Sequence, residues 1–330
     1  MAAHPKDVLK GAQAGAFLLP AVDHYCGVEA RILKALALQR QMIEERGACV
    51  FDVTLDCEDG APVGQELQHA QMVVESVRQA PKTVNGVATR MAIRVHPVDH
   101  PAFAADVQTV VSAVGADLCH LMIPKVESVT DVEIAVEAVN AAGGHSLPLH
   151  VLVESAASVH RAFDIASHPR VQSISFGLMD FVSAHGGALP ASAMSVQGQF
   201  AHPHVLRAKL EIAAACHAHG KVPSHCVVTE FKDVQALEKA ARVASQELGY
   251  TRMWSIHPDQ IAPILRAMAP NASEVSDAAE IIDVAHKADW APISHKGKLH
   301  DRASYRYYWQ LIERAHGAGQ SLPDTVSRFF

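Results

Sequence analysis

The chain has 330 residues, of which 49% are apolar and 19% charged, and its net charge is −7 with histidine neutral. This composition is typical of a soluble globular protein with a sizeable core, and a negative charge without a basic block argues against a nucleic-acid partner. No stretch approaches the roughly 20 apolar residues of a membrane span. Residues 1–11 contain no apolar signal segment, so we expect a cytoplasmic protein with no membrane partner.

Eight apolar runs predict buried parallel strands in chain order. Each is rich in Val, Ile or Leu and is bounded by glycine, proline or a charged residue, as are strands covered on both faces by helices. The predicted strands are 17–21, 49–56, 91–96, 120–125, 149–155, 171–177, 222–228 and 251–257.

Amphipathic helical patterns separate these runs. Apolar residues recur at helical spacing in 64–80 and in 128–142, where Ser128 followed by Asp131 predicts a capped helix start. Eight strand–helix units in succession favour an α/β fold consisting of a single (β/α)8 TIM barrel. No glycine-rich phosphate loop follows the first strand, which disfavours a dinucleotide-binding fold.

The pattern changes after the eighth unit, where a loop, a helix, a polar stretch and a final aromatic helix follow. About 60 residues are too few for a separate domain of ordinary size. We therefore expect residues 1–270 to form the barrel catalytic domain and residues 271–330 to form a C-terminal helical extension that acts as an arm or lid.

Charged side chains stand at the ends of the predicted strands, where the active site of such a barrel lies. A charge at the end of an apolar strand is costly unless it is paired or binds a metal. These residues form either an ion-pair network that closes the mouth of the barrel or a catalytic site, and their convergence on one mouth favours the site. They are Asp56, Glu58, Asp59, Arg94, His96, Lys125, Glu127, Glu154, Asp180, His225 and His257.

The carboxylates have no histidine or cysteine at metal-ligand spacing, and the six cysteines are scattered. Ligation by oxygen alone suits a hard cation such as Mg²⁺, which is held by one or two carboxylates, waters and substrate. We predict that Glu154 and Asp180, at the ends of adjacent strands, are the metal ligands. A hydroxy- or oxo-carboxylate substrate would take the remaining positions.

Six ordered motifs resemble the citrate lyase β-subunit-like (HpcH/HpaI aldolase) family, which includes malyl-CoA and citramalyl-CoA lyases. The resemblance implies a Mg²⁺-dependent TIM barrel, assembled as a homotrimer or homohexamer, that cleaves or forms a carbon–carbon bond beside a carboxylate. The motifs are LDCEDG (55–60), IRVH (93–96), IPKVES (123–128), LVES (152–155), FGLMD (176–180) and SIHPDQI (255–261), and KGKLHDR (296–302) is similar to the family's C-terminal segment.

The resemblance also implies roles for individual residues. Arg94 and Glu154 bind substrate, and Arg94 also acts in catalysis. Glu154 and Asp180 are Mg²⁺ ligands, and Glu58 and Asp59 orient waters on the metal. Asp301 is an acid or base on a mobile tail that reaches a neighbouring subunit's site. Cleavage of a 3-hydroxy acid needs these functions, because a hydroxyl proton must leave and an enolate must be stabilised.

The substrate stays open between an acyl-CoA thioester, a carrier-bound acid and a free 3-hydroxy acid. A CoA ester brings phosphate charges that usually need Lys or Arg nearby. Residues 60–71 contain no basic residue except His69, AGAF (14–17) lacks the arginine often found there, and RVH replaces the family's RVN-like motif.

Two other functions compete with a metal-dependent lyase. One is a Schiff-base aldolase using Lys125, which is disfavoured because a lysine beside several carboxylates stays protonated. The other is a catalytically idle barrel that acts as a subunit or as a ligand-binding regulator.

Overall fold

The computed structural model describes residues 3–9 and 19–330. Eight parallel strands close into a barrel in which each strand pairs with the next along the chain and the last pairs with the first. The predicted barrel is therefore confirmed. Its strands are β1 (Val22–Cys26), β2 (Phe51–Asp56), β3 (Met91–Arg94), β4 (Leu118–Ile123), β5 (Leu149–Val153), β6 (Val171–Phe176), β7 (Val222–His225) and β8 (Arg252–Ser255).

Helices connect the strands, and their apolar faces join the strands in one core. The sequence prediction of helices near 64–80 and 128–142 is confirmed, and Asp131 accepts the Ser128 N–H at 3.0 Å. No described helix is long and apolar enough to cross a membrane. The helices are Glu29–Arg46, Glu66–Gln79, Phe103–Val114, Val129–Ala141, Ala156–His160, Ala162–Ser167, Leu178–Ser183, Gly198–Ala201, Pro203–Ala218, Val234–Gln246 and Ile261–Met268.

The first strand begins later than the sequence predicted. Residues 17–18 of the predicted strand 17–21 lie outside the described residues, and residues 19–21 precede β1. β1 instead contains Asp23 and His24, which are buried because Thr54 Oγ1 donates to Asp23 at 2.6 Å and His24 Nδ1 lies 3.0 Å from Ser255 Oγ. A strand whose buried side chains are paired polar groups has no apolar run, so the prediction placed it too early.

An ionic network fills the barrel at the amino ends of its strands. Arg252 Nη2 lies 2.6 Å from Asp52 Oδ2 and 2.8 Å from Asp23 Oδ2, and Arg90 pairs with Asp52 from the rim. Burial and neighbouring positive charge lower the pKa of the stacked His120 and His150 rings, so both imidazoles are neutral. Each of the two carboxyl groups is therefore paired with a guanidinium.

Residues 269–330 and the described part of residues 1–19 make a second compact unit. Its helices are Pro5–Leu9, Ala272–Lys287, Arg302–Gly317 and Asp324–Ser327, and Ile293–His295 pairs with Lys298–His300 in a hairpin. Its core includes Tyr305 and Trp309 of the predicted aromatic helix. Helices after the barrel are thus confirmed, whereas the domain limits and the lid role stay predictions.

Candidate active site

The side chains at the ends of β2 and β3 form one buried ionic group. Asp56 and Arg94 are register partners on these neighbouring strands, and Arg94 Nε donates to Asp56 Oδ1 at 2.7 Å. Arg94 Nη1 lies 2.8 Å from Glu58 Oε2, and Nη2 lies 2.7 Å from Asp59 Oδ2. Every nitrogen of the guanidinium therefore faces a carboxylate of its own chain.

These partners of Arg94 differ in how deeply they are buried. The side chains of Asp56 and Glu58 are 0% and 7% exposed, whereas that of Asp59 is 70% exposed. Burial lowers the pKa of Arg94, but Asp56, Tyr25 and Glu58 outweigh burial and raise it, so the guanidinium stays charged. Asp59 is the partner that an incoming carboxylate can replace without opening the core.

Asp56 is held by donors on all sides. Its Oδ1 accepts the Glu58 N–H at 3.0 Å, and its Oδ2 accepts the Gly60 N–H at 2.7 Å and the Tyr25 hydroxyl. Burial opposes the charge, but Arg94 and these donors lower the pKa of Asp56. A Cβ on Gly60 would lie 2.6 Å from the Asp56 carbonyl oxygen, so the last residue of the LDCEDG motif must be glycine for this turn to close.

Lys125 connects this ionic group to the predicted metal ligands. Its ammonium donates to Glu58 Oε1 at 2.7 Å, and its backbone N–H donates to Glu154 Oε1 at 2.9 Å. The backbone of Lys125 is left-handed, with φ of 51°, which is uncommon for a residue with a side chain. Burial lowers the pKa of Lys125, but Glu58, Asp180 and Glu154 outweigh burial and raise it.

Glu154 has the features of a cation ligand. Its side chain is buried, and a Cβ on Gly177 would lie 2.9 Å from the Glu154 Cβ, so a larger residue at position 177 would displace Glu154. Burial and the charge of Asp180 raise the pKa of Glu154 to about 8. A buried carboxylate beside a second carboxylate is costly to ionise, and a divalent cation between the two would remove that cost. The residues present therefore fit Mg²⁺.

Asp180 lies in the first turn of the helix Leu178–Ser183 and is exposed. It interacts electrostatically with both Glu154 and Lys125. The structure thus brings five predicted site residues together at the carboxyl ends of the strands: Arg94, Glu58, Asp59, Glu154 and Asp180.

The sequence did not predict the aromatic cluster that lies beside these charged side chains. The Tyr25 ring stacks on Trp254 with 5.7 Å between ring centroids, and Trp254 Nε1 donates to Ser175 Oγ at 3.1 Å. Met122 and Leu152 pack with Trp254 in the same small apolar cluster. Tyr25, Met122, Leu152 and Trp254 thus belong to one small apolar and aromatic cluster.

Other strand-end residues have structural partners elsewhere. His96 Nδ1 lies 2.6 Å from Asp106 Oδ2, and Glu127 Oε2 accepts the Ser155 hydroxyl at 2.7 Å. His225 is buried with its Nδ1 3.0 Å from the Cys226 carbonyl oxygen. His257 Nδ1 accepts the Asp259 N–H at 3.2 Å and caps the turn Pro258–Gln260.

A second group of metal-type side chains lies at the amino ends of the strands. One carboxylate oxygen of Asp23 and ring nitrogens of His120 and His150 lie within 4.8 Å of one another. Arg252 Nη2 already lies 2.8 Å from Asp23 Oδ2. Arg252 and Arg90 therefore already pair with the carboxylates of this group, Asp23 and Asp52. It is spread over β1, β4 and β5, so no sequence spacing indicates it.

Asp301 belongs to the second compact unit, where it is exposed. Its Oδ1 accepts the N–H groups of Ala303 and Ser304 at 3.0 and 3.3 Å, which caps the helix Arg302–Gly317. The side chain therefore has a structural role of its own. Its proposed acid or base role stays a prediction.

The matching family model and the similar known proteins indicate the same family. Residues 35–258 match the model of the HpcH/HpaI aldolase/citrate lyase family. An L-malyl-CoA/β-methylmalyl-CoA lyase of Cereibacter sphaeroides is 28% identical over 299 residues, which cover 83% of this chain and 90% of that protein. The malyl-CoA/β-methylmalyl-CoA/citramalyl-CoA lyase of Chloroflexus aurantiacus is 26% identical over 73% of this chain and 75% of that protein.

Solved structures share the architecture. A citrate lyase from Burkholderia xenovorans LB400 is 44% identical, with a TM-score of 0.83 and full coverage of both chains. The Mycobacterium tuberculosis protein CitE, in complex with magnesium, acetoacetate and coenzyme A, is 20% identical, with a TM-score of 0.64 over 90% of this chain and 98% of that one. At that identity the second likeness concerns the fold.

Proposed function

Because the chain belongs to the HpcH/HpaI aldolase/citrate lyase family, and is thus a carbon–carbon lyase, we propose that it uses Mg²⁺ to cleave or form a carbon–carbon bond of a 3-hydroxyacyl-CoA thioester. The observation that carries the metal is the pair Glu154 and Asp180 at the carboxyl ends of the strands. Burial and Asp180 raise the pKa of Glu154 to about 8, as expected for a carboxylate built to face a cation. The names of the malyl-CoA lyase relatives support the thioester.

A Mg²⁺ ion on these carboxylates would chelate the substrate and lower the pKa of its hydroxyl group. The chain's own residues prepare the position. The Lys125 N–H fixes one oxygen of Glu154, and Gly177 leaves room for the other. Glu58 is held between Lys125 and Arg94, where it can accept a hydrogen bond from a water on the metal.

Arg94 is proposed to bind the substrate carboxylate or the enolate oxygen that forms on cleavage. Its guanidinium is charged and buried, so a hydrogen bond from it is stronger than one in water. The exposed Asp59 occupies one edge of the guanidinium, and substrate would take that edge by displacing Asp59. Asp301 is proposed to move a proton at the carbon that becomes the methyl or methylene group.

The Schiff-base alternative is weaker. A Schiff base needs a neutral amine, but Glu58, Asp180 and Glu154 raise the pKa of Lys125, and Glu58 Oε1 lies 2.7 Å from its ammonium. A borohydride trap with a keto acid should therefore leave the chain unlabelled.

A free 3-hydroxy acid is the second candidate substrate, since residues 60–71 contain only His69 as a basic residue. The thioester and the free acid are distinguished as substrates by incubating the protein with malyl-CoA, citramalyl-CoA and the corresponding free acids in the presence of Mg²⁺. The measurement is release of glyoxylate from the malyl compounds or pyruvate from the citramalyl compounds, together with acetyl-CoA from a thioester or acetate from a free acid.

We expect rapid release from a thioester, none in EDTA, and recovery with Mg²⁺ or Mn²⁺. Glu154→Gln and Asp180→Asn should be folded but nearly inactive. If only the free acids are cleaved, the substrate is the free acid and not the thioester. Full activity of both variants in chelator would contradict the metal assignment, and no release from any compound would favour an idle barrel.

A further inference from the structure

We propose that Tyr25 is a positioning residue that fixes the guanidinium of Arg94 for carboxylate binding. The proposal rests on the substrate-binding role of Arg94 given above. It is carried by two separate contacts that Tyr25 makes with the same guanidinium.

The first contact is through the phenol oxygen. It accepts a hydrogen bond from Arg94 Nη2 at 2.6 Å and donates its own hydrogen to Asp56 Oδ2. Asp56 in turn accepts Arg94 Nε at 2.7 Å. The three side chains close a ring of hydrogen bonds, which fixes the tilt of the guanidinium plane as well as its position.

The second contact is through the aromatic face. Arg94 Cζ lies 4.6 Å from the centroid of the Tyr25 ring, within the range of a cation–π interaction. On Trp254 the Tyr25 ring has an interplanar angle of 14°. The Trp254 ring, the Tyr25 ring and the Arg94 guanidinium therefore form one stack, whose members belong to β8, β1 and β3.

Removal of the hydroxyl separates the two contacts. Tyr25→Phe keeps the ring stack but removes the phenol oxygen from the ring of hydrogen bonds, which leaves Arg94 Nη2 with Asp59 and Asp56 Oδ2 with the Gly60 N–H, whereas Tyr25→Leu removes both contacts. Tyr250→Phe is the matched control, because Tyr250 is a buried tyrosine whose hydroxyl donates to the Lys209 carbonyl oxygen at 2.9 Å, away from Arg94.

Two readouts test the proposal. The first is KM and kcat on the best thioester, together with the Kd of pyruvate, used as a carboxylate probe in the presence of Mg²⁺. We expect Tyr25→Phe to raise KM and the pyruvate Kd about tenfold, as for loss of a hydrogen bond to a charged group, with kcat within about twofold. Tyr25→Leu should be worse, and Tyr250→Phe should lower Tm without changing either constant by more than about twofold.

The second readout is the position of the Arg94 guanidinium in crystal structures of the three variants without substrate. It needs no activity, so it decides the positioning role even if the proposed reaction is wrong. A rotated or doubled guanidinium in Tyr25→Phe and Tyr25→Leu, but not in Tyr250→Phe, supports the proposal. An unmoved guanidinium in Tyr25→Leu overturns it, and so does a change in affinity that Tyr250→Phe reproduces.

Discussion

The proposed role of Glu154 as a metal ligand would connect proton binding and metal binding in one side chain. Burial and Asp180 raise its pKa to about 8, so most of it is protonated at pH 7 without a cation. A Mg²⁺ ion at the proposed site would bind the ionised carboxylate, so we expect uptake of the ion at pH 7 to release close to one proton and its affinity to rise up to about pH 8. Calorimetry in two buffers of different ionisation enthalpy measures the release. Equal heats in both buffers would contradict the prediction.

The same pKa predicts a pH dependence of stability without metal. The pKa of Glu154 in the folded protein lies above its ordinary value of 4.5. The contribution of protonated Glu154 to the free energy of unfolding is therefore fully present below about pH 4.5. It is lost as pH rises towards 8. Glu154→Gln should flatten this part of the profile of the free energy of unfolding, and an unchanged slope in that variant would assign the slope to another group.

Arg94 should not tolerate the change to lysine. Its Nε, Nη1 and Nη2 reach Asp56, Glu58 and Asp59 in three directions, and one ammonium cannot reproduce this geometry. We expect Arg94→Lys to lower kcat/KM by a factor that corresponds to a loss of about 3 kcal/mol of transition-state stabilisation. Steady-state kinetics with the folded variant measures the loss. An unchanged kcat/KM would leave Arg94 as part of an ion-pair network that closes the barrel mouth.

At the scale of elements, the helix Arg302–Gly317 tests the role of Asp301. Asn also caps helices, so Asp301→Asn should keep the cap and the stability, whereas Asp301→Ala should cost about 1 kcal/mol. If Asp301 moves a proton, Asp301→Asn loses activity while it still binds Mg²⁺ and substrate.

Mixing two inactive variants then tests whether the site is shared between subunits. Asp301→Asn chains mixed with Glu154→Gln chains should regain activity, because some hybrid sites would pair an intact barrel with an intact tail. No recovery, or full activity of a dilute monomer, would place Asp301 in its own chain's site or only in its helix cap.

The strand ends show what the sequence could predict. Asp56, Arg94 and Glu154 follow apolar runs, and the barrel topology alone places the carboxyl ends of its strands at one mouth. β1 has the sequence VDHYC, with no apolar run, so the prediction missed both the strand and Tyr25 at its end. The left-handed backbone of Lys125 depends on its contact with Glu154, which lies 29 residues away.

At the scale of the whole barrel, the two ends differ in charge. At the amino ends, Asp23 and Asp52 pair with Arg90 and Arg252. At the carboxyl ends, five carboxyl groups of the described residues (Asp56, Glu58, Asp59, Glu154 and Asp180) interact with two cations, Arg94 and Lys125. The carboxyl end therefore has the excess negative charge that a divalent cation would balance, and this excess is the physical basis of the proposed lyase site.

The most direct test of this claim is the location of Mn²⁺, which substitutes for Mg²⁺, by anomalous scattering from crystals grown with the ion. We expect a peak about 2.0–2.3 Å from carboxylate oxygens of both Glu154 and Asp180, absent from crystals of Glu154→Gln. A peak at Asp23, His120 and His150 instead, or one that Glu154→Gln leaves unchanged, would contradict it.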